Sequence, residues 1–236
     1  FYDWCDIVSI YGAPADCLWG GGRVGFGEDA AEDVLELVKK YGISARLTFS
    51  NSLLCKEHLQ DARCNDLCKK LSAHGLQNGV IVHSDLLVEY LQINYPELYL
   101  VSSTTKVIVD FEQFVQELER NEFKFVVPDF RLNKKWDLLK GLPQWQKDKV
   151  EFLCNECCSF GCKERKACYE NVSRKVLGQD VEDHRCASPA AGKGYVFSKA
   201  MKNPGFIGVN DIKDVYMPMG FCNFKIEGRS LGSAMI

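Results

Sequence analysis

Gly79-Val80-Ile81-Val82-His83, then Asp85-Leu86-Leu87-Val88-Glu89-Tyr90-Leu91-Gln92-Ile93-Asn94, then Leu98-Tyr99-Leu100-Val101-Ser102 follow one another with only short gaps. The first and last runs have strand length and composition, and the middle one has the length of a helix, with Asp85 as its N-cap. Two strands joined through a helix are parallel, because a hairpin cannot make that connection. The same alternation extends in both directions. Further strands are expected at 6–11, 45–50, 123–128, 150–154, 206–209 and 221–226, which makes eight in all. Helices are expected at 29–41, 53–71, 110–120 and 134–139. In the first of these Val34, Leu37, Val38 and Tyr41 share one face, and Gly42 stops it. Asp110 is the expected cap of the helix at 110–120.

Eight strands with intervening helices predict an α/β chain with a (β/α)8 TIM-type barrel, read as one domain over 1–236 and lacking most of its last helix. A doubly wound open sheet is the alternative. In either architecture, chemistry sits at the carboxyl ends of the strands. The polar residues there include Asn51, Asp129, Arg131, Glu156, Glu227 and Arg229. One connection, at about 155–204, is far longer than the few residues usual after a strand. The chain opens on Phe1 and stops inside an apolar segment at Ile236, so a fragment is expected.

The 236 residues are 46% hydrophobic, 11% aromatic and 26% charged, which excludes disordered, collagen-like and coiled-coil classes. A formal net charge of -3 supplies no bulk field for nucleic acid or an anionic membrane. The sequence contains no apolar run of membrane-spanning length and no export signal, so a cytoplasmic protein is expected. The twelve cysteines are accordingly read as reduced thiols rather than a disulfide framework.

Six cysteines, Cys154, Cys157, Cys158, Cys162, Cys168 and Cys186, crowd the segment that begins with the sixth strand. Several thiolates in one loop lower the entropy of assembling a site for a soft or borderline metal, so an iron-sulfur cluster or zinc is expected there. Lys163, Arg165, Lys166 and Arg185 would offset its negative charge. Cys64 and Cys68 share a helix face and read as core, as do Cys5, Cys17 and Cys222. Gly20, Gly22 and Gly25 form a GxGxxG. They are separated from the first strand and lead into an acidic helix start, so a loop presenting Arg23 is preferred to a dinucleotide site. Histidine spacing offers no HExxH. Along the last strand Lys225, Glu227 and Arg229 fall on one side as a charged triad, either structural or active.

Phe224-Lys225-Ile226-Glu227-Gly228-Arg229, together with the cysteine segment Asn155-Glu156-Cys157-Cys158, resembles the collagenase-like peptidases of the peptidase U32 family, as a divergent branch of it. The resemblance also takes in 47–52, 101–106 and 128–133. It implies a (β/α)8-type barrel with a four-cysteine site that holds a 4Fe-4S cluster in well-understood relatives. Those relatives hydroxylate quinone precursors or RNA bases, often as paired homologous subunits, while others carry a peptidase label. Carried over by position, Cys157 or Cys158, Cys162 and Cys186 match cluster ligands. The fourth differs: relatives place a Cys shortly before the last strand, where this chain has Asp211-Ile212-Lys213. Both Cys157 and Cys158 would then ligate, or Cys154, Cys168 or Cys64 would substitute, or no complete cluster forms.

The expected function is therefore an iron-sulfur enzyme modifying a small aromatic molecule or an RNA base. The alternatives are a peptidase (a hydrolase) and a non-catalytic, metal-stabilised partner of a homologous subunit. Glu227, Lys225 and Asp129 are the candidate catalytic residues, with Glu227 the acid/base. Cys157, Cys158, Cys162 and Cys186 are the candidate ligands, and Arg131, Glu156, Arg229 and Asn51 the candidate substrate-binding residues.

Overall fold

A computed structural model describes residues 3–14, 16–22, 31–73, 75–186 and 197–227. Contacts divide the chain into two compact units, Phe1–Val101 with Tyr169–Val181, and Ser102–Cys168 with Glu182–Ile236. The strands are β1 (Ser9–Gly12), β2 (Ser44–Phe49), β3 (Gly79–Val82), β4 (Tyr99–Ser102), β5 (Phe123–Val126), β6 (Glu151–Leu153) and β7 (Asn223–Lys225). The α-helices that matter below are α1 (Ala31–Tyr41), α2 (Ala62–Ala73), α3 (Asp85–Asn94), α4 (Phe111–Glu119), α5 (Trp136–Lys140), α6 (Gln144–Lys147) and α7 (Arg165–Val176).

In the first unit β1 and β2 pair in parallel with Ile10 opposite Ala45, and β2 and β3 with Leu47 opposite Val80. All four residues of β3 are buried, as a parallel strand covered on both faces requires. Val38, Leu67, Leu71, Leu87 and Leu91 from the helices pack the core with Phe49, Val80 and Val82. On α1 the buried pair is Leu35 and Val38, while Leu37 and Tyr41 are exposed, so the packed face is rotated from the expected one. Gly42 ends this helix at φ +64, where a side chain would be strained. The expected helix at 53–71 is instead a 3-10 turn, Lys56–Gln60, followed by α2. The break falls at Asp61, whose carboxylate accepts the Cys64 N–H at 2.7 Å and starts the second helix.

Strands β1 to β5 lie side by side in chain order, and β6 and β7 form a two-stranded sheet. The division between units falls inside β4. Tyr99 N–H bonds Asn78 O in the first unit, and Ser102 O accepts Val127 N–H in the second. A single parallel bridge, Val126 opposite Val150, leads from β5 to the start of β6, and β6 pairs β7 in parallel with Phe152 opposite Phe224. In the second unit Phe152 makes edge contacts with Tyr216 and Phe221 and stacks on Phe224, forming an aromatic core below the strand ends. Asp110 caps α4 by accepting the Gln113 N–H.

The α/β class and parallel pairing stand, but the barrel does not close among the described residues. One departure from the eight-strand pattern is local. Residues 206–209, expected as the seventh strand, contribute one ladder-like bond, Ile207 N–H to Cys154 O at 3.0 Å. The Asp211 carboxylate then accepts the Gly208 N–H at 3.0 Å and turns the chain into a helical segment from Val209. The long connection after β6 is also not all loop, since it contains α7. Gly20 and Gly22 are described, whereas Arg23 and Gly25 of the glycine motif lie outside the described residues. No described helix is long and apolar enough to cross a membrane.

Gly21 marks a close approach in the first unit: a Cβ there would lie 2.4 Å from Ser50 O and 2.5 Å from Asn51 N at the end of β2. Gly21→Ala is expected to cost about 2 kcal/mol, read as a lower urea midpoint with an unchanged slope.

Candidate functional site

Strand β6 delivers Cys154-Asn155-Glu156-Cys157-Cys158 in the second unit, and Asn155 fixes what lies opposite. Its Nδ2 donates to Glu227 O at 2.9 Å and its Oδ1 accepts the Glu227 N–H at 2.9 Å. One step back, Cys154 N–H donates to Lys225 O. The side-chain amide thus extends the β6–β7 ladder by one rung and brings Glu227 beside Glu156. One ligand atom each from Glu156, Cys157 and Glu227 lie within 4.8 Å of one another. Among the described residues this is the one such group of three.

Glu156 is 2% exposed and held at both oxygens: Oε1 accepts the Cys158 N–H at 2.9 Å and Oε2 accepts from Arg165 Nη1 at 2.6 Å. Arg165, 1% exposed at the start of α7, also places Nε 3.4 Å from Asp129 Oδ2. Asp129, in turn, takes a two-pronged contact from Arg131, 2.6 Å to Oδ1 and 3.0 Å to Oδ2, and caps the 3-10 turn Phe130–Leu132. The remaining Arg131 nitrogen, Nη1, donates to Cys162 O at 2.9 Å. The result is an alternating chain, Arg131, Asp129, Arg165, Glu156, with two charges of each sign. Both guanidinium groups lie over the Phe130 ring, at 5.6 and 4.9 Å. Asn203 clamps the loop from the other side, donating to Cys158 O at 2.7 Å.

The expected residues are distributed unevenly. Asp129, Arg131, Glu156, Cys157, Cys158, Cys162, Lys225 and Glu227 all belong to the second unit. Lys225 and Asp129 are buried, Lys225 beside the β6 end and Asp129 inside the charge chain. Cys186 is exposed and is not in the three-residue group. Asn51 is in the first unit, fully buried, with its amide committed to Leu18 O, Ser173 O and Leu53 N–H, so it ties backbone segments together. Arg229 lies outside the described residues. Of the substitute ligands, Cys154 donates its thiol to Phe152 O, and burial pushes it up to about 12, which keeps it protonated. The bridging role of Arg165 was not legible in sequence, where it counted only as a charge offset. Its one signal is an Arg at the first turn of a helix, nine residues after Glu156.

The three-residue group offers two carboxylates and one cysteine sulfur, a harder donor set than the four thiolates of an iron-sulfur cluster and better matched to one divalent ion. Neither a family model nor a curated protein matches the sequence. A solved structure, that of the U32 peptidase Mk0906, is similar over 95% of this chain and 86% of its own, with a TM-score of 0.62 at 17% identity. The chain has a U32-peptidase-like fold. At that identity the likeness is one of fold, and it agrees with the resemblance carried by the β7 and cysteine segments.

Removing Arg165 leaves two buried carboxylates without their shared cation. Arg165→Met is expected to destabilise the protein by about 3–5 kcal/mol. Adding Glu156→Gln should recover part of the loss, read as non-additivity in a urea double-mutant cycle.

Proposed function

We propose that the chain is a metal-dependent hydrolase of peptide bonds, with Glu156, Cys157 and Glu227 as the ligands of one divalent ion. The observation that carries the reading is the convergence of these three side chains at the carboxyl ends of β6 and β7. Three protein ligands leave coordination positions open, as hydrolytic metal sites require. A borderline ion such as zinc suits a mixed thiolate and carboxylate set. When bound, such an ion supplies Lewis acidity toward a carbonyl and makes water a better nucleophile near neutral pH. The fold likeness to a U32 peptidase supports peptides as the substrate class.

The chain's own residues do the positioning. Asn155 holds the Glu227 backbone, and Arg165 with the Cys158 N–H fixes the Glu156 carboxylate. Arg131 anchors the far end of the loop through Cys162 O. With all three ligands ionised, a divalent ion leaves one negative charge in excess, and the adjacent Arg165 offsets it. Glu227, read from sequence as an acid/base, acts in this proposal as a ligand. The iron-sulfur hydroxylase reading requires a different ligand set, and a single measurement separates the two.

Protein purified without oxygen is expected to hold about one divalent ion per chain and no acid-labile sulfide. Cleavage of labelled gelatin should be lost on chelation and restored by zinc. Glu227→Gln should weaken metal affinity by roughly 10-fold or more. Iron with stoichiometric sulfide, and an absorption near ~400 nm that Cys162→Ala removes, would sink the proposal in favour of the cluster.

A further inference from the structure

The first unit presents a thiol against an imidazole in the segment that follows β2. Cys55 is exposed, and His58, three residues on in the 3-10 turn, is partly exposed. Cys55 Sγ lies 3.2 Å from His58 Nδ1 and 3.7 Å from Nε2, so the sulfur sits at the edge of the ring. The Cys55 backbone N–H donates to the same Nδ1 at 3.0 Å. A ring nitrogen that accepts a backbone N–H carries a lone pair, which puts the ring proton on Nε2. The unprotonated nitrogen is therefore the one that faces the thiol. Both partners are held in place. Ser52 N–H donates to Ser173 Oγ at 3.1 Å and Leu53 N–H to Asn51 Oδ1 at 2.9 Å, which fixes the chain leading to Cys55. Beyond it the indole of the buried Trp19 donates to His58 O at 2.7 Å, Leu59 is buried, and Asn65 Nδ2 donates to Leu59 O at 2.9 Å. A pair fixed on both sides reacts without first ordering itself.

We infer that Cys55 and His58 form a thiol-exchange site for small-molecule disulfides, with Cys55 as the nucleophile and His58 as its base. A cysteine attacks as the thiolate, and the base that generates it must lie within hydrogen-bond reach, as Nδ1 does here. His58 Nδ1 takes the S–H proton while Cys55 Sγ attacks one sulfur of the disulfide. The reagent's S–S bond breaks as the new one to Cys55 forms. The departing sulfur leaves with the bonding pair as a thiolate and takes the proton back from the imidazolium. One thiol and one disulfide thus give one mixed disulfide and one thiol: the Cys55 sulfur is oxidised, the departing sulfur is reduced, and His58 is returned neutral. While the ring is protonated the Cys55 N–H loses its acceptor, and at this exposed position water replaces it. None of these residues belongs to the Glu156, Cys157 and Glu227 group.

The test uses the full chain and hydroxyethyl disulfide, a neutral probe. Acid quenching and peptide mapping over time should show Cys55 converted to the mixed disulfide roughly 10-fold faster than exposed Cys5, and dithiothreitol should reverse it. The difference should vanish in denaturant, where the pair no longer exists. His58→Asn keeps an acceptor for the Cys55 N–H but supplies no base, and should bring Cys55 down to the Cys5 rate. His58→Ala should do the same and recover on addition of free imidazole, a rescue that a purely structural histidine would not show. Three results would overturn the inference. One is a Cys55 rate no greater than that of Cys5 in the folded chain. Another is a Cys55 rate that His58→Asn leaves unaltered. The last is a Cys55 rate that a chelator raises, which would make Cys55 and His58 metal ligands. Each readout is taken at Cys55 and stands or falls separately from peptide cleavage by the second unit.

Discussion

Arg165 lies between two buried carboxylates, and the candidate site depends on that placement. Taking Asp129, Glu156 and a guanidinium out of water is costly, and the attraction between them offsets the cost only when the geometry is good and the other polar atoms are satisfied. Here Arg131 supplies a second cation on Asp129, the Cys158 N–H a second donor on Glu156, and Phe130 an aromatic face under both guanidinium groups. The chain of alternating charges fixes the path of the backbone from Glu156 to Cys162. A stretch that reads in sequence as part of an unusually long, cysteine-rich connection is thereby given one conformation.

Much of the fold was legible because strands and helices declare themselves locally. The run 85–94 became α3, with Ser84 rather than Asp85 at the cap, and seven of the eight expected strands fell at their expected places with ends shifted by at most three residues. The failures come where a polar side chain overrules an apolar pattern. Phe206-Ile207-Gly208-Val209 has the composition of a strand, yet the Asp211 carboxylate caps the chain into a helical segment there. Asp61 splits one apparent helix into two pieces by the same means. Barrel closure is a property of distant strands and has no local signature.

The site was legible by residue type and not by arrangement. Glu156, Cys157 and Glu227 were each singled out, but as a substrate-binding residue, a cluster ligand and an acid/base. Their convergence depends on Asn155, an ordinary-looking residue whose side chain substitutes for a strand backbone. The cysteine count was similarly ambiguous. Twelve thiols separate in the structure into a buried trio in the first unit, a segment around the β6 end in the second, and scattered exposed residues. Only burial and neighbours distinguish them, and neither is visible in spacing.

The two-bond clamp between Asn155 and Glu227 also bears on the order of events during folding. The donor set spans some seventy residues of sequence, so no fragment ending before β7 can assemble it, however well the β6 loop is formed. A chain emerging from the ribosome would expose Glu156 and Cys157 as ordinary surface groups until residues 223–227 dock. Ion capture would then follow completion of the sheet's last pairing rather than nucleate it. Under the proposed function, a bound ion would act as a late seal on an already formed architecture, unlike in small metal-nucleated domains where folding waits for the metal.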